Sequence, residues 1–82
     1  MSVTKEQAEK LRHAVGLDYP HKVKRGVTYR NYYCAPDGDT DMEALVSLGI
    51  MERGHKINEG RDRYYFATEV GLALVGIRKV SR

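Results

Sequence analysis

Apolar residues along this 82-residue chain recur with two different periods, and the switch between them marks the elements. Near the N-terminus Ala8, Leu11 and Val15 follow at spacings of three and four, which puts them on one stripe of a helix. Lys5, Glu6, Glu9, Lys10 and Arg12 take the opposite side. Thr4 and Gln7 have the spacing of a capping box, with Val3 and Ala8 placed as a hydrophobic staple across it. Gly16 stands where a left-handed C-terminal cap is wanted, and Leu17 follows as its apolar partner. The pattern predicts a helix over 5–15.

A second helical stripe is carried by Met42, Leu45 and Leu48. Thr40 and Glu43 are spaced as a second capping box, and Asp39, Asp41 and Glu43 suit the positive end of the helix dipole. Gly49 ends this helix, with Ile50 folding back on it. The period then changes to two. Met51 to Ile57 and residues 63–67 read as strands around an Asn58-Glu59-Gly60 turn. Tyr64 and Phe66 alternate with Tyr65 and Ala67, so one pair faces the core. Thr68 caps a last helix bearing Val70, Leu72, Leu74 and Val75, and Gly76 stops it. Gly71 weakens that helix by about 1 kcal/mol relative to alanine, so packing must hold it.

Residues 27–35, Val-Thr-Tyr-Arg-Asn-Tyr-Tyr-Cys-Ala, are pulled two ways. Propensity favours strand, because β-branched and aromatic side chains dominate. The order of elements favours helix, because a turn at Pro36-Asp37-Gly38 and then a helix follow, as in a helix-turn-helix. The element order is given the greater weight. A helix here would place Tyr29, Tyr32 and Tyr33 on one face. Residues 18–27 read as a connection, with Pro20 disfavouring helix at Tyr19. Residues 1–77 form one domain, and 78–82 are expected to be a mobile basic tail.

A domain of this length buries roughly 60 to 65% of its unfolded surface, which leaves little room for a deep catalytic cavity. Cys34 has no second cysteine to pair with, and is expected to be a small buried hydrophobe. A reducing cytoplasm is the simplest setting. No apolar run is long enough to span a bilayer, and the N-terminus lacks the apolar core of a signal peptide. His13, His21, His55 and Cys34 lack the spacing of a zinc site. Asp37, Asp39 and Asp41 alternate as in a calcium loop, but Met42 and Leu48 stand where that loop needs glycine and glutamate. With no nucleophile-base order, phosphate-cradling glycine loop or catalytic carboxylate pair, no enzyme, metal or cofactor is expected.

The formal charge of +3 is modest, and its distribution says more. Lys22, Lys24, Arg25 and Arg30 lie among Tyr29, Tyr32 and Tyr33, a mixture that suits a nucleic-acid platform or a tyrosine-packed core. Arg53, His55, Lys56, Arg61 and Arg63 cluster on the expected hairpin. There they would grip phosphates or an acidic protein, or act as edge-protecting charges. Asp37, Asp39, Asp41 and Glu43 separate the two basic regions.

The run Leu45-Val46-Ser47-Leu48-Gly49-Ile50-Met51, the charged hairpin, and Tyr65-Phe66-Ala67-Thr68-Glu69-Val70-Gly71 together resemble the recognition-helix-to-wing stretch of MarR-type winged-helix regulators. The resemblance covers about 30 residues. It implies an α+β, winged-helix-like domain with three or four short helices and a two-stranded β-hairpin wing. Arg30-Asn31-Tyr32-Tyr33, Gly38, Asp41 and the Leu45–Met51 step also look like a family of small phage and prophage proteins, which implies a mobile-element origin. Two departures from the regulators matter. The helix that would enter the major groove begins with carboxylates, which repel phosphates, and the long dimerising C-terminal helix is absent, so any homodimer would use another surface. The expected function is therefore binding: nucleic acid through the basic wing or, alternatively, a protein partner such as a host factor or a virion component, met by Tyr and Arg anchors.

Overall fold

Local signals set the helix boundaries. In the computed structural model, which describes residues 3–81, α1 spans Lys5–Ala14 behind a Thr4–Gln7 capping box with both reciprocal bonds formed. It ends in a Schellman stop, Leu17 N–H donating to Arg12 O at 2.9 Å and Gly16 N–H to His13 O at 3.1 Å. Helix α2 spans Thr40–Ser47, and here the expected cap is corrected: Asp39, not Thr40, is the N-cap, accepting from Met42 N–H at 3.1 Å. The Thr40–Glu43 box does not form because Glu43 turns to Arg53 and Tyr65 instead. Helix α3 spans Glu69–Leu74, with Thr68 accepting from Gly71 N–H at 3.2 Å.

Segment 27–35 is not helical, contrary to the reading from element order. Val27–Thr28 form β1 and Tyr33–Pro36 form β2. Propensity prevails because both strands find distant partners. Strand β2 runs antiparallel to β4 (Asp62–Ala67), with Tyr33 opposite Tyr65 and Pro36 opposite Asp62. Strand β3 (Met51–Ile57) completes a three-stranded sheet in the order β2-β4-β3. The expected two-stranded hairpin is thus widened by a third strand, and no helix-turn-helix arises from 27–35.

The tail is also corrected. Lys79–Val80 form β5, which pairs in parallel with β1 through Val27 opposite Lys79 and Thr28 opposite Val80. Arg78 N–H and Lys79 N–H both donate to Gly26 O, at 2.8 and 3.2 Å. Arg82 lies outside the described residues.

The molecule is a small α+β domain whose core lies between the helices and one face of the larger sheet. Leu11, Ala14 and Val15 of the α1 region meet Met42 and Leu45 of α2, with Ile50 and Met51 leading into β3, and Ala35, Tyr65 and Ala67 from the sheet. Strand alternation decides which residues turn inward. Tyr65 and Ala67 are the buried pair, while Tyr64 and Phe66 lie on the outer face, half-buried. Cys34 falls on that outer face opposite Tyr64 and is exposed, correcting its expected burial, because its neighbour Ala35 takes the inward position.

Asn31 stitches the 29–32 segment to the sheet. Its side chain accepts from Ala67 N–H at 2.8 Å and donates to Ala67 O at 3.1 Å, as a paired strand residue would. Tyr33 packs edge-on against His13 of α1, with ring centroids 5.4 Å apart.

Candidate nucleic-acid interface

The hairpin cations divide by strand face. Arg63 and Tyr65 share the inward face of β4, and Arg53 lies opposite Tyr65 on β3. The register then slips between Arg53 and Lys56, where Gly54 and His55 together oppose Tyr64 in a β-bulge, and Lys56 comes opposite Arg63. Arg53, Lys56 and Arg63 therefore all turn toward the acidic segment before and within α2. Arg53 Nε donates to both oxygens of Glu43 at 3.0 and 3.1 Å. Arg63 Nε lies 2.8 Å and Lys56 Nζ 3.3 Å from the Asp37 carboxylate. Asp39 and Asp41 are taken by Lys10, at 3.0 and 3.1 Å. Of the five hairpin candidates, only His55 and Arg61 stay exposed without a carboxylate partner among the described residues. Period-two alternation carried two residues back from Tyr65 would have placed Arg63 on the inward face.

These pairs set an acid limit. Arg63, and then Lys56, hold the Asp37 carboxyl below its ordinary value. Arg53, and then the Tyr65 hydroxyl, do the same to Glu43. A carboxyl whose pKa is depressed on folding adds stability that is present above the unfolded value and lost as pH falls through the folded one. The thermal midpoint is therefore expected to be level above about pH 5 and to drop as pH falls through about 4 and below. Asp37→Asn should flatten that profile, as read by circular dichroism melts across pH. An unchanged profile in the variant would remove the Asp37 pairs from the account.

Arg30 is also engaged. Its Nη2 lies 2.6 Å from Asp18 Oδ1 and donates to His13 O as well. Its guanidinium lies 5.5 Å from the Tyr29 ring centre and 5.8 Å from that of Tyr32, placing it by both rings. Arg30 thus works as a strut that positions these two tyrosines, rather than as a cation free for phosphate. Its Nε is buried without a hydrogen-bond partner among the described residues.

The remaining candidates converge elsewhere. Lys24, Arg25, Gly26 and Val27 make a tight turn, closed by Lys24 N–H to Val27 O at 3.1 Å and Val27 N–H to Lys24 O at 2.9 Å. Positive φ at both central residues, +55° at Arg25 and +75° at Gly26, is the geometry of a type I′ turn. It carries Arg25 at its apex. Arg78 folds over this turn, its Nε donating to Arg25 O at 2.7 Å. Lys79 is fixed opposite Val27 by the β1–β5 pairing, and Lys22 Nζ stands 5.3 Å from the ring centres of both Tyr19 and Tyr29. Lys22, Lys24, Arg25, Arg78 and Lys79 thus form one exposed patch with no carboxylate partner among the described residues. Arg78 and Lys79 were read from sequence only as tail; the signal that could have placed them is Val80, an apolar β-branched residue able to pair with Val27-Thr28.

Tyr19 is 50% exposed, Tyr29 36% and Tyr32 49%, whereas Tyr33 is half-buried. Of the three aromatic candidates, Tyr29 and Tyr32 therefore present ring surface outward and Tyr33 packs inward. On α3, Val70 and Leu74 are an i, i+4 apolar pair, 51% and 55% exposed.

Among the described residues no group of three or more His, Cys, Asp or Glu side chains is gathered to hold a metal ion. No helix among them is long and apolar enough to cross a membrane. Comparison of the chain with known protein families, curated proteins and solved structures finds no significant match.

Proposed function

We propose that this chain is a non-enzymatic nucleic-acid-binding module of phage or prophage type, acting in the cytoplasm, which grips the phosphate backbone through Lys22, Lys24, Arg25, Arg78 and Lys79. The observation that carries this reading is the convergence of five exposed cations, none with a carboxylate partner among the described residues, beside the exposed rings of Tyr19 and Tyr29. A cation without an internal partner exchanges only mobile counterions for phosphate, and their release drives association. Arg53, Lys56 and Arg63 would first have to leave Asp37 and Glu43. The wing therefore contributes Arg61 and His55 at most, and the main grip moves to the β1–β5 ribbon. The winged-helix-like reading rests on the order α2-β3-β4-α3; in it, α2 is not the reading helix, since its first turn is acidic.

Fluorescence anisotropy with a labelled oligonucleotide across a salt series tests the proposal. Affinity should fall steeply with salt. Lys22→Gln, Lys24→Gln and Arg25→Gln combined should lower the log–log salt slope by about 2 to 3 units, at roughly 0.7 to 0.9 per lost phosphate contact. The Arg53→Gln, Lys56→Gln double variant should change it little. Salt-insensitive or undetectable binding by the unmodified chain would end this reading.

A second reading, a protein-binding accessory module such as a host-factor inhibitor or virion-assembly component, is favoured by the exposed Val70–Leu74 pair, which would equally serve a homodimer. Affinity capture with and without nuclease separates the two: a protein retained after nuclease treatment, and lost with Val70→Ser, Leu74→Ser, favours the second.

A further inference from the structure

The basic patch opens onto a second surface. The cleft between Lys22, Lys24 and Tyr29, about 280 Å³, is bounded by Ser81. Tyr29 and Ser81 also line a larger groove of about 640 Å³, whose other walls include Tyr32, Glu52, Phe66 and Val80. The two hollows therefore adjoin at Tyr29 and Ser81, the smaller one basic and the larger one aromatic.

The aromatic hollow lies on the outer face of the sheet. Phe66 lies flat across β3 because Gly54 has no side chain; a Cβ there would come within 2.4 Å of the ring. Tyr64 stacks beside Phe66, ring centres 6.5 Å apart and planes 27° from parallel, and Tyr32 meets Tyr64 edge-on at 5.9 Å. Tyr29 and Tyr32 are placed by the Arg30 guanidinium, which also lines the groove and is itself fixed on Asp18. The rings are thus held in position before any ligand arrives. Glu52 in this groove has no cation partner among the described residues. It repels phosphate and offers a carboxylate to exocyclic amino groups, whereas the basic hollow attracts phosphate.

We propose that the ligand is a single-stranded nucleic acid, with a short run of unpaired bases in the groove of Tyr29, Tyr32 and Phe66 and its phosphates over Lys22, Lys24 and Arg25. This rests on the phosphate-binding reading above and adds the strandedness. Base faces are closed to a protein in a duplex and open in a single strand, and stacking on aromatic side chains is tolerant of sequence. Glu52 sets the polarity: amino-bearing base edges inward, phosphates toward the lysines.

The test compares labelled oligodeoxycytidylate, oligocytidylate and a mixed duplex of equal length by anisotropy, on the unmodified chain, on Tyr32→Ala, on Tyr32→Phe, and on the triple glutamine variant of Lys22, Lys24 and Arg25. Single strands should bind more tightly than duplex. Tyr32→Ala should weaken single-strand binding about tenfold and leave duplex binding unchanged. Tyr32→Phe should restore affinity, since the ring and not the hydroxyl stacks, and the triple variant should bind both ligands more weakly. Comparing the deoxyribose and ribose strands identifies the favoured sugar. Quenching of intrinsic tyrosine fluorescence by single strand, absent with duplex, gives the same answer without a variant. Equal or tighter duplex binding, with Tyr32→Ala matching the unmodified chain, overturns the single-strand proposal while leaving the phosphate reading intact. A triple variant that still binds normally overturns both.

Discussion

Gly71→Ala is expected to destabilise the domain by roughly 2 to 3 kcal/mol, although alanine is the better helix former by about 1 kcal/mol. The reason is a close approach. A Cβ on Gly71 would stand 2.2 Å from Ile50 O and 3.1 Å from Ile50 Cγ2. The carbonyl cannot easily retreat, because it also accepts from Thr68 N–H at 2.9 Å and from the Thr68 hydroxyl at 3.0 Å. Relieving the clash moves either the entry to β3 or the first turn of α3. For a domain of this length, a loss of that size lowers the thermal midpoint by about 10 to 20 °C. Calorimetry or a circular dichroism melt reads it directly, and a midpoint equal to or above that of the unmodified chain would show that α3 does not pack as described.

Tyr65→Ala is expected to cost more, about 3 to 5 kcal/mol. Tyr65 is fully buried at the centre of the sheet's inner face, and its hydroxyl donates to Glu43 Oε2 at 2.8 Å. Burial, and then the nearby Glu43 carboxylate, raise the hydroxyl's pKa, which keeps it a donor. Domains of this size have total stabilities of roughly 4 to 12 kcal/mol, so this variant gives up a large share of the whole. Tyr65→Phe keeps the ring and loses only the hydrogen bond, for about 1 kcal/mol, because the half-buried Glu43 still holds Arg53. Urea unfolding of the pair separates packing from hydrogen bonding. Equal losses in the two variants would mean that the hydroxyl, not the ring, supports the core.

Elements fixed by neighbouring residues were legible in the sequence, and those fixed by distant partners were not. Thr4 with Gln7, Thr68 with Gly71, and the stop at Gly49 and Ile50 each act within one helical turn, and each forms as read. Residues 27–35 depend on β4 and β5, far along the chain, and the strands at Val27–Thr28 and Tyr33–Pro36 follow propensity rather than element order. Asp39 and Thr40 are adjacent and both able to cap; the choice fell to Asp39 once Glu43 was drawn to Arg53 and Tyr65, contacts that no local spacing reveals. The same long-range pairing decides the candidate site. The hairpin is as cationic as the sequence suggests, but alternation and a bulge turn Arg53, Lys56 and Arg63 toward their own carboxylates. Lys22, Lys24 and Arg25 gain Arg78 and Lys79 as neighbours only through the β1–β5 ribbon, whereas Arg30, close to them in sequence, turns to Asp18.

The most direct measurement of where this chain binds is a titration of the isotopically labelled protein with a short oligonucleotide, followed by amide chemical shifts. The account predicts that the largest changes fall on residues 19–32 and 78–81 and on the groove walls at Glu52 and Phe66, with those at Lys56 and Arg63 small. Changes centred on the hairpin tip and the start of α2, or none at all, would contradict it.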